Sequence, residues 1–516
     1  MHPLAQLDHR HLWHPFTQMR DWLKCEPIVI VSGRGAVLRD ACGREYLDAN
    51  ASIWTNLHGH NHPKINAALH RQLRKIAHSS ALGLANEPAS LLAARLVQLA
   101  NPQRQNRRGH PSPSELRPPP LAKVFFSDDG STALEVALKL AYEFARRSGR
   151  GKKPVFLSLD GAYHGDTVGA VSLGHIALFH KAYSGLLFKA DPVMAPYCYR
   201  CPFNRARPER ADARVYRQCH WECVGQVEQK FASRKACGRG YAALVFEPLM
   251  QGAAGMVPQP AGWLGRVAEL ARGHGAQLIA DEVMTGFGRT GWADAPAMRS
   301  APQDSSFQCA AGARPGRAHR PPSMPQVPSP SLFACHHEGV RPDFLCLAKG
   351  LTGGYLPMAA TLTTQEVFDA FLGEYEEFKT FFHGHSFTSN QLGAAAALAS
   401  LDLLESKASL HDRFTLEQTL REQLVSLWSL SNVGDIRQAG LIAGVELVKD
   451  WRTRRTFPLR ERAGIRVCEA MARRGVLTRP VGNVVVLMPP YCTTPAQLCR
   501  IISVLGVAIA ETLAAP

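Results

Sequence analysis

No apolar run in this 516-residue chain is long enough to span a bilayer, and the opening MHPLAQLDHRHLWHP lacks a signal-peptide core. Both absences predict a cytoplasmic chain with no membrane partner. No internal repeat is present. Acidic residues are few beside basic ones, 43 Asp and Glu against 59 Lys and Arg, for a net charge of +16. Such an excess raises the question of a nucleic-acid partner. No basic helix interleaved with aromatics accompanies it, and arginine collects in Pro- and Ser-rich stretches, so none is expected. Hydrophobic residues make up 46% and charged residues 20%, as in an ordinary soluble enzyme. The length allows one large domain and a smaller one.

Cysteine is not scarce. Thirteen cysteines in a cytosolic chain argue against a disulfide framework. Cys198 and Cys201 stand as C-x2-C in PYCYRCPF, and Cys219 and Cys223 follow in CHWEC. A four-cysteine zinc clip is geometrically open to them, with reduced structural thiols as the alternative that the wider second spacing favours; no metal is expected. The alternating His58, His60 and His62 of HGHNHP suit turn and capping roles better than a metal cluster.

The residue that most constrains the chemistry is Lys349, in DFLCLAKGLTGGYLPMAATLTT. A short apolar strand, 344–347, precedes it, and Gly350, Gly353 and Gly354 let the backbone turn after it. A lysine at a strand's end can be desolvated in a cleft, and the neutral amine can attack an aldehyde to form a Schiff base. Upstream, GAQLIADEVMTGFGRTG puts Asp281 and Glu282 at the carboxyl end of a buried strand, where open α/β sheets bind ligands. A pyridoxal phosphate (PLP) cofactor needs such a carboxylate at its ring nitrogen. In LAKVFFSDDGSTALEVALKLAYEFARR a strand leads into Gly130, Ser131 and Thr132, which open an amphipathic helix to about Arg147 and form an anion site at its N-terminus. A fourth strand, in PVFLSLDGAYHGDT, is followed by Tyr163, an aromatic that can stack on a flat ring, with His164 packing beside it.

GSTALEVALKLA, DGAYHGDT, FEPLMQGAAGM, IADEVMTGFGRTG, CLAKGLTGGYLP and FFHGHSFTSNQLGAAAALASL, in this order, resemble the class III aminotransferases of PLP fold type I. The resemblance implies Lys349 as the Schiff-base lysine, Asp281 on the pyridine nitrogen, Gly130 and Ser131 on the phosphate, and Tyr163 over the ring. It further implies a homodimer with active sites at the subunit interface. The resemblance also implies that Ser386, with the backbone at Gly384 and His385, completes the phosphate cup of the neighbouring subunit; some relatives carry Pro-Thr where this chain has His385-Ser386. HLWHPFTQM, ASIWTNLHGHNHP and LTRPVGNVVVLMPPY look like the adenosylmethionine-8-amino-7-oxononanoate aminotransferases of biotin synthesis. In that subgroup the residue at Arg479 binds the oxononanoate carboxylate, a fit for a guanidinium fork. Arg289, in the GFGRTG turn, is expected near the cleft mouth or in a structural ion pair with Asp281-Glu282 or a neighbour. Phe16 replaces the Tyr of well-known members, and Ile53-Trp54 replaces two tryptophans. Adenosylmethionine is the expected donor, with lysine left open beside it, as is a different ω-amino acid or diamine aminotransferase.

The expected architecture is a large, mostly parallel α/β domain over 61–414 and a smaller α+β domain from 1–60 and 415–516. Two Pro-, Arg- and Ser-rich stretches, 101–120 and 293–330, read as exposed insertions.

Overall fold

The computed structural model describes residues 1–101, 119–150, 153–292 and 331–513. Of the two expected insertions, 102–118 and all of 293–330 lie outside the described residues.

Seven segments pair into one sheet: Leu121–Ser127 (β1), Val155–Leu159 (β2), Asp191–Val193 (β3), Tyr241–Phe246 (β4), Gln277–Asp281 (β5), Phe344–Leu347 (β6) and Ala359–Thr364 (β7). Their spatial order is β1-β7-β6-β5-β4-β2-β3. Four of the pairings are parallel, and only β7 runs against its neighbours β6 and β1. β4, β5, β6 and β7 are buried at every residue. That is why they read as unbroken apolar runs rather than alternating ones, as expected of a sheet covered on both faces. The fold is the mostly parallel α/β arrangement anticipated.

The helix Gly130–Arg147 (α1) connects β1 to β2. Asp129 caps it by accepting from the Thr132 N–H at 2.8 Å, and the Thr132 hydroxyl receives the Asp129 N–H in return. This reciprocal cap fixes where the helix begins. Its buried face carries Leu134, Ala137, Leu138, Ala141 and Phe144.

The two ends of the chain meet. Strands Ile30–Arg34, Val37–Asp40 and Glu45–Asp48 form a sheet whose last member pairs in parallel with Val476–Leu477. A further sheet is built around Val433–Ala439, Ile442–Asp450 and Val484–Leu487. Pro495–Leu513 is, among the described residues, the one helix long and apolar enough to cross a membrane by length and composition. This departs from the expectation that no apolar run is long enough; Arg500 and Glu511 lie within the helix. The fold uses it as a core helix: Leu498, Ile501, Ile502, Leu505, Ala508 and Ile509 are buried, and it packs on Ala463–Arg473 and Lys407–Leu424.

Candidate active site

The carboxyl ends of β1, β2, β5 and β6 open on one cavity of about 430 Å³. It is lined by Gly130 and Ser131 from the start of α1, Tyr163 and His164 after β2, Asp281 at the end of β5, Lys349 beyond β6, and Trp54 from the N-terminal region. Ligand sites in open α/β sheets lie at such strand ends because the loops there converge while the sheet stays rigid. The volume falls in the range of small-molecule sites, roughly 300–1,000 Å³.

Lys349 has φ +42°, a left-handed conformation that a lysine adopts only where its surroundings demand it. Its amine lies 4.6 Å from the centre of the Trp54 ring. Burial pushes the amine's pKa down, and the negative charges of Asp281 and Glu247 pull it back only in part. A neutral, nucleophilic amine is therefore available at lower pH than for a solvated lysine. The loop that carries it is docked by glycine. Gly354 has φ +84°, and a Cβ there would stand 2.8 Å from Asn56 Cα, so the turn after Lys349 lies directly on the backbone that follows Trp54.

Asp281 is buried and holds a partner that sequence reasoning assigned elsewhere. His164 does not simply pack beside Tyr163; its Nδ1 meets Asp281 Oδ2 at 2.7 Å, while the Val283 N–H donates to Oδ1 at 3.1 Å. Burial opposes a charge on His164, but the hydrogen bond and charge of Asp281 outweigh it and raise the imidazole's pKa. The adjacency Tyr163-His164 was visible in the sequence; that β2 and β5 bring this histidine to Asp281 was not. Glu247, within FEPLMQGAAGM, carries no local signal that marks it in the sequence. It accepts from the N–H of Gly252 at 2.8 Å and of Tyr163 at 3.3 Å, and burial pushes its carboxyl up to about 7.

Tyr163 donates its hydroxyl to Asp166 at 2.7 Å, and the Asp166 N–H donates to Ser131 Oγ at 3.1 Å. A Cβ on Gly165 (φ +123°) would overlap Ser131, so the loop passes the start of α1 as closely as a backbone can. Free N–H groups at a helix start, an aromatic above, a buried carboxylate paired with histidine and a desolvated lysine are what a phosphorylated pyridine aldehyde requires. The residues present fit that group.

Residues 51–54 form a turn of opposite hand, with φ between +43° and +70° at Ala51, Ser52, Ile53 and Trp54. Left-handed backbone costs an ordinary residue roughly 1–2 kcal/mol, so four in succession need strong local compensation. The turn puts Trp54 in the cavity and leaves Ile53 at 41% exposure.

Six residues anticipated for the site do not line this cavity: Phe16, Ile53, Gly384, His385, Ser386 and Arg479. Phe16 stands edge-on to Tyr163, ring centres 6.4 Å apart. His385 Nδ1 reaches Asp128 Oδ2, at the cavity edge, at 3.5 Å, and Gly384 to Ser386 are exposed. Arg479 is exposed between two short strands. Arg289 takes neither expected place. It is 1% exposed, donates Nη1 to the Pro489 carbonyl at 2.6 Å and lies 4.8 Å from the centre of the Tyr491 ring. Its side chain is buried and does not line the cavity.

The four cysteines come together around one small cavity with Arg217, whose Nη1 donates to Cys219 Sγ at 3.1 Å. Burial pushes the Cys198 and Cys223 thiols up to about 12 and about 11. Among the described residues, no group of three or more His, Cys, Asp or Glu side chains is placed to hold a metal ion. His58 pairs with Ser400 at 3.0 Å, His60 with Asp48 at 3.0 Å, and His62 caps the helix Pro63–Lys75.

The class III aminotransferase family model matches residues 20–302 and 329–509. The chain is a class III aminotransferase. This aminotransferase is 45% identical over 495 residues to the adenosylmethionine-8-amino-7-oxononanoate aminotransferase of Geobacter sulfurreducens, covering 96% of the chain and 94% of that protein. Among solved structures, it resembles the enzyme of the same name from Methanocaldococcus jannaschii with a TM-score of 0.81 and 35% identity, over 99% of both chains. An amine transaminase from an uncultivated Pseudomonas species, in its PLP-bound form, matches with a TM-score of 0.79 and 30% identity over 97% of this chain and 98% of that one.

Proposed function

We propose that this aminotransferase moves an amino group from S-adenosylmethionine to 8-amino-7-oxononanoate, giving 7,8-diaminononanoate for biotin synthesis, with PLP as its cofactor. The observation that carries the reading is Lys349: a buried amine on a strained turn, facing Asp281 across a cavity that begins at a helix N-terminus. The relatives' shared name supports the choice of substrates.

When bound, the cofactor supplies an aldehyde that carries the amino group and a ring that accepts electrons. Gly130 and Ser131 would hold its phosphate with N–H groups at the start of α1. Asp281, braced by His164, would meet the ring nitrogen, and Tyr163 would offer its ring to the cofactor. Lys349 Nζ, whose pKa burial lowers, would take the proton from the donor's amino-bearing carbon and later return one to the carbon that comes to bear the new amino group. Arg479 receives the oxononanoate carboxylate. Phe16, Ile53 and Trp54 form the donor side of the entrance.

Gly384, His385 and Ser386 lie exposed at the rim of their own cavity, a placement that suits service to a neighbouring subunit. The working unit is accordingly a homodimer, in the cytoplasm. Within each subunit, 61–414 forms the cofactor domain, and 1–60 with 415–516 the smaller one.

The test is an assay of purified protein loaded with PLP, given 8-amino-7-oxononanoate and adenosylmethionine, with diaminononanoate read by mass spectrometry. Product with adenosylmethionine is the expected result. Product with lysine alone would reassign the donor, and no product with either would overturn the substrate.

A further inference from the structure

The left-handed turn at 51–54 has a clamp of its own. Asp48 closes the strand Glu45–Asp48 and is 3% exposed. Its Oδ1 accepts the N–H of Asn50 at 3.2 Å and of Ser52 at 3.1 Å. Its Oδ2 accepts the Ser52 hydroxyl at 2.9 Å and meets His60 Nε2 at 3.0 Å. His60 Nδ1 faces the Asn56 amide nitrogen at 2.9 Å. This pairing requires the imidazole proton on Nε2, so the ring donates to Asp48 and accepts from Asn56. The backbone of His60 is pinned in turn to Gly35, by bonds of 2.8 and 3.0 Å in the two directions. Asp48 and His60 thus grip the turn at its start and just past its end.

What the turn delivers is Trp54. Its indole N–H donates to Asn50 Oδ1 at 2.9 Å, and its ring is wedged between Gly252, where a Cβ would stand 3.3 Å away, and Lys349 Nζ. Residues 51–54 contain no glycine, so nothing intrinsic keeps them left-handed. Released from the clamp, they relax toward right-handed backbone, which turns the indole away from the lysine.

We infer that Asp48 and His60 are positioning residues of this enzyme: they hold the left-handed turn that seats the Trp54 ring against Lys349, and so set the surroundings of the reactive amine. The inference rests on Lys349 being that amine, as proposed above. A carboxylate is needed because it accepts on both oxygens. An asparagine at 48 turns an NH2 toward donors and forfeits one side of the clamp.

The experiment is competitive acylation of Lys349 with acetic anhydride across pH, on apoprotein, read from the mass of the Lys349 peptide. The groups facing the amine are Asp281 and Glu247, and both stay in place. In Asp48→Asn the labelling midpoint moves up toward that of an ordinary lysine. In the PLP-loaded enzyme kcat falls on the order of tenfold or more, as for a displaced reacting group, while KM for the oxononanoate stays near its original value. Adding Ser52→Gly, which adopts left-handed backbone without the Cβ penalty, moves both readouts back toward wild type. An unchanged Lys349 midpoint in folded Asp48→Asn overturns the inference, whatever its activity. Should that variant not fold, His60→Leu, which removes both the donor to Asp48 and the acceptor for Asn56, is read in the same way and decides. The labelling needs no substrate, so a wild-type enzyme that makes no diaminononanoate would refute the proposed reaction without touching this result.

Discussion

His164 Nδ1 and Asp281 Oδ2 stand 2.7 Å apart in the interior, one at the loop after β2 and the other at the end of β5. Both residues line the cavity, so the carboxylate there is held in place by an imidazole. Replacing His164 with Asn removes the imidazole partner of Asp281 and keeps a side chain of similar reach. We expect kcat to fall on the order of 10- to 100-fold, as when the outer partner of a functional group is lost, with little change in KM. Steady-state kinetics on the PLP-loaded variant check this.

The same pair predicts a pH dependence of stability. The folded pKa of His164 is raised above its ordinary value of 6.5. Its stabilising contribution is therefore complete below about pH 6.5 and is lost as pH rises through the folded pKa. The difference in urea midpoint between wild type and His164→Asn should be largest near pH 6 and shrink toward alkaline pH. A difference that grows with pH would refute the pairing as drawn.

Lys349→Ala should fold normally and lose turnover on the order of 10⁴-fold, the upper range for removing a positioned proton carrier. Borohydride treatment of the PLP-loaded wild type should add the cofactor's mass to the Lys349 peptide, and that adduct should be missing in the variant. A wild-type peptide of unaltered mass would remove the basis of the proposed function.

Gly165→Ala puts a methyl group into Ser131. The start of α1 must shift, so PLP affinity should drop by about tenfold or more, the loss expected when a phosphate-holding hydrogen bond of about 1.5–3 kcal/mol is misplaced. PLP titration of apoprotein followed by absorbance measures it, and circular dichroism should show the helices intact.

Mixing two inactive proteins tests whether Ser386 serves a neighbour. The Lys349→Ala and Ser386→Asp variants should each be nearly inactive, the second because an acid is set against a phosphate. Unfolded and refolded together, they form heterodimers with one site that has both native residues, and activity should return. No recovery would place Ser386 at its own subunit's site, or outside both.

The legible part of the site was the part carried by single segments. A strand end, a glycine pair and a following helix could be read at Gly130, Asp281 and Lys349, because strand and turn chemistry are local. The partnerships were not legible. His164 and Asp281 are 117 positions apart, and Asp48 reaches His60 around a turn whose hand no composition predicts. Arg289 stood in a turn that reads as a cleft edge, yet its guanidinium lies against Tyr491 in the core.

By itself the sequence determined the class of the fold and the reactive groups. Apolar runs of four to seven residues alternating with amphipathic helices can bury themselves in few ways, and side-chain chemistry does not depend on neighbours to exist. The tertiary structure alone decided what those groups are worth. Desolvation of Lys349, the imidazole on Asp281 and the left-handed seat of Trp54 all come from elements distant in the chain being packed within hydrogen-bonding or van der Waals reach, where dielectric and geometry, rather than residue type, set reactivity.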